Sequence, residues 1–151
     1  MVTEVNYAER RGEILRELDG LRAEVDPEKR IGYLILDREP LNIVSYAGRA
    51  QICALIEAFD EDDDVGVIVI RGANGVFSSG GDVKRFPQIP KNKMSDLADN
   101  IGAPERCSKP VIAALEKYAF GVAFELSLAC DFRFAIKETQ VGLPEVALGQ
   151  M

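Results

Sequence analysis

The run Val65–Ile70 limits the fold more than any other segment, because all of its residues except Gly66 are β-branched. A continuous β-branched run is typical of a strand that is covered on both faces of a parallel sheet. The earlier run Arg30–Leu36 is also rich in strand formers. Between the two runs, Tyr46–Phe59 places its apolar residues on one helical face behind Ser45, a candidate N-cap. A strand, a helix and a second strand in this order predict a right-handed βαβ crossover and the α/β fold class.

The remaining segments continue this alternation of helices and strands. Helical spacing or strand-forming composition predicts a helix over Val5–Leu18, a helix over Met94–Cys107, a strand over Val111–Leu115, a helix that Gly121 opens, and a strand over Asp131–Ile136. The proline-bounded segment Ile89–Lys93 is expected to be a loop. Gly20 follows the first helix as a stop signal, so we expect residues 1–20 to form a helical extension and residues 21–151 to belong to the core domain.

Charge and composition exclude several classes of partner. Twenty-five acidic side chains against eighteen basic ones give a net charge of −7, which disfavours binding to the phosphates of nucleic acid. The sequence has no signal-peptide pattern at its N-terminus and no apolar run long enough to cross a bilayer. Cys53, Cys107 and Cys130 lack metal-type spacing and are interpreted as reduced thiols. We therefore expect a cytoplasmic protein without nucleic-acid or membrane partners.

The sequence contains no histidine. Histidine is the most frequent general base and a common metal ligand, so neither a histidine base nor a histidine metal ligand is available. It also excludes a Ser-His or Cys-His nucleophile. Any acid–base chemistry therefore falls to carboxylates, lysine or tyrosine.

Glycines are concentrated between Arg71 and Asp82, directly after the β-branched run. In the segment Val76–Lys84 they allow the backbone to turn sharply and to come close to a ligand. Backbone N–H groups that are free at such a turn can bind an anion or a developing oxyanion. The same glycines also suit a plain tight loop, so this segment by itself leaves both interpretations open.

Glu125 and Glu145 are candidate acid–base residues. Glu125 falls in the first turn of the helix after Gly121, where free N–H groups could stabilise a carbonyl oxygen that gains negative charge. Glu145 follows a proline in an apolar segment, and a partly desolvated carboxylate can act as an acid or a base. Each residue also has a simpler interpretation, in which Glu125 complements the helix dipole and Glu145 lies in an exposed loop.

Together these motifs resemble the enoyl-CoA hydratase/isomerase (crotonase) family. In that family a strand leads into an F-x-[AS]-G-[AG]-D-[LIV] turn, and a later K-P-V-I-A-A strand leads into a glycine-rich helix start and then E-L-x-L-x-C-D. An F-G-x-P-E segment comes after. The corresponding segments here are Phe77–Val83, Lys109–Ala114, Glu125–Asp131 and Val141–Glu145. The resemblance extends from about Ile31 to the last residue and implies the ββα spiral of the crotonase fold.

The resemblance also implies how the site works. The backbone N–H groups of Gly81 and Val122 would form an oxyanion hole for a thioester carbonyl, each contributing about 3–4 kcal/mol to the enolate-like state. Glu125 and Glu145 would position a water, assist its attack on the β-carbon and deliver a proton to the α-carbon. No metal and no cofactor is expected, because coenzyme A enters as part of the substrate.

The implied substrate is an acyl-CoA thioester, and the implied reaction is the hydration of an enoyl-CoA. The full-length assembly would be a homotrimer or a dimer of trimers. Isomerase or hydrolase chemistry of the same family, and a non-catalytic CoA-binding scaffold, stay open as alternatives. The loop Glu39–Val44 is similar to the P-P-L-N-V-L form of cyclic dienoyl-CoA hydratases. The resemblance assigns CoA binding to Arg38, Asn42, Ser79, Gly80, Gly81, Asp82, Val83, Lys84, Gly121 and Val122.

Two features depart from the family pattern. Most members carry three glycines at the second oxyanion position and another glycine four residues earlier, whereas this chain has Gly121-Val122-Ala123 and Lys117. The N–H of Val122 can still donate, but the side chains of Val122 and Ala123 narrow the space for the acyl group, so an altered substrate shape or a weakened activity is expected. The chain also ends at Met151, so we expect the N-terminal part of the core domain without the C-terminal helical region.

Overall fold

The computed structural model describes residues 1–90 and 96–149. The strands are β1 (Thr3–Glu4), β2 (Leu21–Asp26), β3 (Ile31–Leu36), β4 (Val67–Gly72), β5 (Val111–Leu115), β6 (Tyr118–Phe120), β7 (Phe132–Ala135) and β8 (Gln140–Gly142). The α-helices are α1 (Ala8–Arg11), α2 (Tyr46–Asp60), α3 (Asp96–Ile101), α4 (Ala103–Arg106) and α5 (Val122–Leu128), and short 3-10 helices cover Gly12–Leu15, Val83–Gln88 and Pro144–Leu148. Within these two ranges, no helix combines the length and the apolar character that a membrane span requires.

Six strands of the described residues form one sheet in the order β1-β2-β3-β4-β5-β7, and β6 pairs with β8 in a separate two-stranded sheet. Strands β3, β4, β5 and β7 are parallel, whereas β1 and β3 each run antiparallel to β2. The four parallel strands confirm the four predicted ones, although β4 begins at Val67 rather than at Val65. Helix α2 connects parallel β3 and β4, which confirms the predicted strand–helix–strand unit and the α/β class.

Strand β2 is absent from the sequence prediction, although its residues alternate in burial. Leu21, Ala23 and Val25 are buried, whereas Arg22 and Glu24 between them are partly exposed. Strand β2 pairs with β3 along its whole length, from the Leu21–Leu36 pair to the Asp26–Ile31 pair. The period of two in Leu21–Val25 was the available signal for this strand.

The single helix predicted over Val5–Leu18 is wrong. Helix α1 ends at Arg11, because the positive φ of 68° at Gly12 interrupts the α-helix, and a short 3-10 helix begins there. Strand β1 pairs with β2, and the side chains of Tyr7 and Leu15 are buried in the core. The N-terminal residues therefore pack against the sheet and α2, while the division of the chain at residue 20 stays a prediction.

The helix predicted over Met94–Cys107 is two helices, α3 and α4, which are separated at Gly102. Pro104 lies in the first turn of α4, a position that tolerates its missing N–H, whereas the interior of one continuous helix would not. Met94 and Ser95 lie outside the described residues, as does most of the loop predicted over Ile89–Lys93.

Helix α2 has the predicted cap and the predicted buried face. The Ser45 Oγ accepts a hydrogen bond from the Gly48 N–H at 2.9 Å, which confirms Ser45 as the N-cap. Full burial of one large apolar side chain contributes about 1.5–3 kcal/mol. Four such side chains of α2 are at most 1 % exposed, namely Ile52, Leu55, Ile56 and Phe59. Burial of these side chains in the core fixes the position of α2. The first turn of α2 therefore lies next to the glycine turn.

Candidate active site

A cavity of about 140 Å³ lies between the glycine turn after β4 and the start of α5. Helix α2 and the 3-10 helix Pro144–Leu148 contribute to its walls. Eight of the twelve site residues expected from the sequence line it, namely Ser79, Gly80, Gly81, Val83, Gly121, Val122, Glu125 and Glu145. The tertiary structure therefore brings the glycine turn, the helix start and both glutamates to one place.

The N–H of Gly81 is a free donor within a turn whose other N–H groups are used. The N–H groups of Ser79 and Asp82 donate to the carbonyls of Leu41 and Val44, at 2.9 and 3.3 Å, and that of Gly80 donates to the Ser78 Oγ. Among the described residues, no acceptor lies within hydrogen-bonding distance of the Gly81 N–H. The turn is thus held rigidly while one donor stays available to a ligand in the cavity.

The second free donor is the N–H of Val122, the first residue of α5. Gly121 precedes it with φ 52° and ψ −131°, a backbone conformation that requires glycine, and donates its own N–H to Gly142 at 2.9 Å. Within the described residues the Val122 N–H has no acceptor, as expected for the first turn of a helix. A Cβ added at Gly81 would lie 3.6 Å from Val122 Cγ1, so the two donor residues are neighbours.

The carboxylate of Glu145 lies directly against this helix start. A Cβ added at Gly121 would lie 2.5 Å from Glu145 Oε1. Pairing of β6 with β8 determines this position, because β6 leads into Gly121 and β8 leads into the 3-10 helix that carries Glu145. Any side chain at Gly121 would therefore displace the Glu145 carboxylate.

Glu125 lies in the first turn of α5, as predicted, and its side chain reaches the cavity wall. Partial burial raises the pKa of Glu125 above its ordinary value of 4.5, and the negative charge of Glu145 raises it further. The positive charge of Arg49 acts in the opposite direction and is the weakest of the three effects. Two acids in one cavity whose environments favour a proton on one of them suit acid–base chemistry.

Glu125→Gln is expected to stabilise the folded protein at neutral pH but not at a pH below 4.5. The folded protein holds the Glu125 proton more tightly than the unfolded chain does, so stability falls as the pH rises from 4.5 through the raised pKa. Glutamine does not ionise and avoids this loss. Thermal unfolding of both proteins at several pH values measures the effect. A difference in midpoint that does not change with pH would contradict the raised pKa.

Arg49 is a site residue that the sequence interpretation missed. It lines the cavity from α2 and is only 4 % exposed, and its guanidinium lies 5.4 Å from the centre of the Phe86 ring. Burial lowers the pKa of Arg49, while the charge of Glu125 opposes that shift. The available signal was its position, because Arg49 precedes Ile52 by three residues and so falls on the apolar face of α2.

Four residues that the resemblance assigns to CoA binding lie outside this cavity, namely Arg38, Asn42, Asp82 and Lys84. The guanidinium of Arg38 forms an ion pair with Asp19. Asp82 forms an ion pair with Arg85 at 3.4 Å, and both line a neighbouring cavity of about 240 Å³. The side chain of Lys84 is exposed. Their part in binding CoA stays a prediction.

Asn42 is buried and supports the glycine turn. Its Nδ2 donates to the carbonyls of Ala73 and Val76, at 3.0 and 2.6 Å, and its Oδ1 accepts from the Arg38 N–H. The side chain is only 2 % exposed, and its amide group makes these hydrogen bonds inside the protein. Asn42 therefore fixes the loop before α2 to the segment that leads to Gly81.

In the part of the chain that the structure describes, no group of three or more His, Cys, Asp or Glu side chains could hold a metal ion. Cys130 is buried, and burial raises the pKa of its thiol to about 12. Burial likewise raises the pKa of Cys107, to about 11. These two thiols are therefore protonated and unreactive at neutral pH.

Comparison with known proteins decides the family. The family model for enoyl-CoA hydratase/isomerase matches residues 27–151. The chain belongs to this family. Of its crotonase relatives, a probable enoyl-CoA hydratase of Rhizobium meliloti (strain 1021) is 34 % identical, over 83 % of this chain and 50 % of the relative. The peroxisomal bifunctional enzyme of Danio rerio is 37 % identical, over 81 % of this chain and 17 % of that protein.

Solved crotonase structures have the same fold as this chain. The crystal structure of an enoyl-CoA hydratase/isomerase from Xanthobacter autotrophicus Py2 matches with a TM-score of 0.80 at 28 % identity, over 88 % of this chain and 52 % of that one. This match confirms the crotonase fold expected from the sequence. The chain spans about half the length of that structure and of the Rhizobium relative.

Proposed function

We propose that this crotonase-family protein is an enoyl-CoA hydratase, which adds water across the C2=C3 double bond of an acyl-CoA thioester. The observation that carries the proposal is the meeting of two free backbone N–H groups and two carboxylates in one cavity. The names of several relatives as enoyl-CoA hydratases support the same reaction. Isomerases and hydrolases of this family are the alternatives, and retention of both glutamates favours hydration over them.

In the proposed reaction the thioester oxygen accepts hydrogen bonds from the N–H groups of Gly81 and Val122. Attack of water on C3 moves the electrons of the C2=C3 bond toward that oxygen, so an enolate-like state develops there. Two fixed donors stabilise this charge, and loss of one such donor typically costs about 3–4 kcal/mol. Glu125 and Glu145 hold the water, take up one of its protons and return a proton to C2. The product is a 3-hydroxyacyl-CoA, and no cofactor enters the balance.

The side chain of Val122 supports a substrate with a narrow acyl group near C2. It is 4 % exposed and lines the cavity beside Gly81. Relatives with glycine at this position have more room at the second donor. Because the loop Glu39–Val44 is similar to that of cyclic dienoyl-CoA hydratases, we propose a cyclic dienoyl-CoA as the first compound to compare with crotonyl-CoA.

The protein is expected to hydrate crotonyl-CoA, a cyclic dienoyl-CoA, or both. Loss of the enoyl absorbance together with formation of the 3-hydroxyacyl product measures the reaction. Release of free CoA thiol would instead identify a hydrolase, and a shifted double bond without added water would identify an isomerase. Binding of acyl-CoA without any turnover would support a non-catalytic scaffold and contradict the hydratase proposal.

Assembly as a homotrimer or a dimer of trimers is part of this proposal. The family to which the chain belongs supports this assembly. Sedimentation at several protein concentrations tests it. The cytoplasmic location stays a prediction, and relatives of this chain include proteins named as mitochondrial and peroxisomal.

A further inference from the structure

Arg49 carries a buried positive charge next to the first oxyanion donor. Its side chain lines the cavity, and a Cβ added at Gly81 would lie 2.6 Å from Arg49 Nη2. The guanidinium also lies over the ring of Phe86, whose centre is 5.4 Å from Arg49 Cζ. The terminal nitrogens of Arg49 therefore lie where an acyl group would be bound under the proposed function.

Apart from the contact with the Phe86 ring, this guanidinium forms no ion pair and no side-chain hydrogen bond among the described residues. No carboxylate lies within 4 Å of it, so neither Glu125 nor Glu145 forms an ion pair with Arg49. Its Nε is fully buried and has no hydrogen-bond acceptor. A buried charge without an ion-pair partner opposes folding, and an apolar side chain of similar length would fill the same space without that cost. An anionic group supplied by a ligand would compensate the charge.

We infer that Arg49 binds a carboxylate on the acyl group, so that this site prefers CoA monothioesters of dicarboxylic acids to thioesters with a neutral acyl group. The inference rests on the proposed acyl-CoA function and names its substrate class. A guanidinium presents two parallel N–H donors that match the two oxygens of a carboxylate. The cavity, at about 140 Å³, is too small for a nucleotide and also holds both glutamates, so the acyl end of the substrate is the part that reaches Arg49.

The charges that line the cavity assign the binding of an anionic acyl group to Arg49. Arg49 is the one cationic side chain among the described residues that line the cavity, and Glu125 and Glu145 are the acidic ones. Without Arg49, the two carboxylates would repel an acyl carboxylate. Among the residues that the structure describes around the cavity, a preference for an anionic over a neutral acyl group therefore requires Arg49.

Binding of two saturated, unreactive thioesters tests the inference by calorimetry. Glutaryl-CoA and pentanoyl-CoA both have five-carbon acyl groups and differ in the terminal carboxylate. The protein is expected to bind glutaryl-CoA more tightly than pentanoyl-CoA by roughly tenfold or more, which corresponds to one charge-assisted hydrogen-bonded pair. Arg49→Met should abolish or reverse this preference, and Arg49→Lys should retain part of it. Arg85→Met is the matched control, because it removes an equal charge from an exposed side chain of the neighbouring cavity and should leave the preference intact.

Each outcome has one meaning. Equal affinity of the unsubstituted protein for the two thioesters would overturn the inference even if Arg49→Met failed to fold. A preference that survives in Arg49→Met, or that is lost equally in Arg85→Met, would overturn it as well. In both cases the acyl-CoA function would stand, because pentanoyl-CoA still binds. Failure to bind either thioester would overturn the proposed function and this inference together.

Discussion

Glu145→Gln is expected to lower kcat for enoyl-CoA hydration by about 10²–10⁴-fold, the range typical for loss of a general acid or base. Glutamine has nearly the same shape as glutamate but can neither accept a proton from water nor return one to C2. Glu145 also lies against Gly121, the residue before the second proposed oxyanion donor, which supports its place in the proposed reaction. Steady-state and single-turnover rates on the same substrate measure the loss.

The fold should tolerate this substitution. No ion pair or side-chain hydrogen bond of Glu145 occurs among the residues that the structure describes, and the residue lies in a short 3-10 helix near the surface. The thermal midpoint should therefore stay close to that of the unsubstituted protein. Glu138→Gln is the matched control, because Glu138 is an exposed acid outside the cavity. A loss of kcat of less than threefold in Glu145→Gln would remove Glu145 from the proposed chemistry.

Gly72→Ala is expected to lower the free energy of unfolding by about 3 kcal/mol, at the upper end of the usual cost of overpacking. Gly72 is the last residue of β4, and the chain turns back over it. A Cβ there would lie 1.6 Å from the carbonyl oxygen of Val76 and 2.7 Å from the Cα of Phe77. Because both contacts are with backbone atoms, relief requires the whole turn to move. Urea unfolding of both proteins measures the change.

This substitution should also lower activity, because the displaced turn carries Gly81. Gly66→Ala provides the matched control, since its added Cβ would lie 3.5 Å from the nearest atoms of Arg30, an ordinary contact. Its unfolding free energy should change by no more than about 0.5 kcal/mol. If Gly72→Ala and Gly66→Ala were equally stable, the close approach of the turn to Gly72 would be wrong.

Local sequence patterns were sufficient to predict the helices and strands that bury one continuous apolar face. The β-branched run predicted β4, and the spacing from Ile52 to Phe59 with Ser45 in front predicted α2 and its cap. The same reasoning was wrong for Val5–Leu18, where helical spacing was outweighed by the positive φ of Gly12 and by the pairing of β1 with β2. Helical periodicity describes one face of a segment, but it does not reveal whether a neighbouring strand competes for that segment.

The residues of the site likewise include some that the sequence predicted and some that it did not. Glu125 and Glu145 were predicted as candidate acids from their own segments, whereas the family resemblance implied Gly81 and Val122 as donors. Their common cavity was implied only by family resemblance, and Arg49 was not identified at all. A charged residue in the first turn of α2 gives no local sign that its guanidinium will be enclosed by Gly81, Phe86 and Glu125.

The sequence by itself therefore determined the α/β class, the strand–helix–strand unit, the family, and which residues could supply donors and acids. These depend on interactions between residues close together in the chain, which composition and spacing record directly. The tertiary structure alone decided that Gly81 and Val122 are neighbours with free N–H groups, and that Glu145 lies against Gly121. It also decided that Arg49 is enclosed without an ionic partner. These features depend on which distant segments pack together, and the hydrophobic core and the β6–β8 pairing determine that packing.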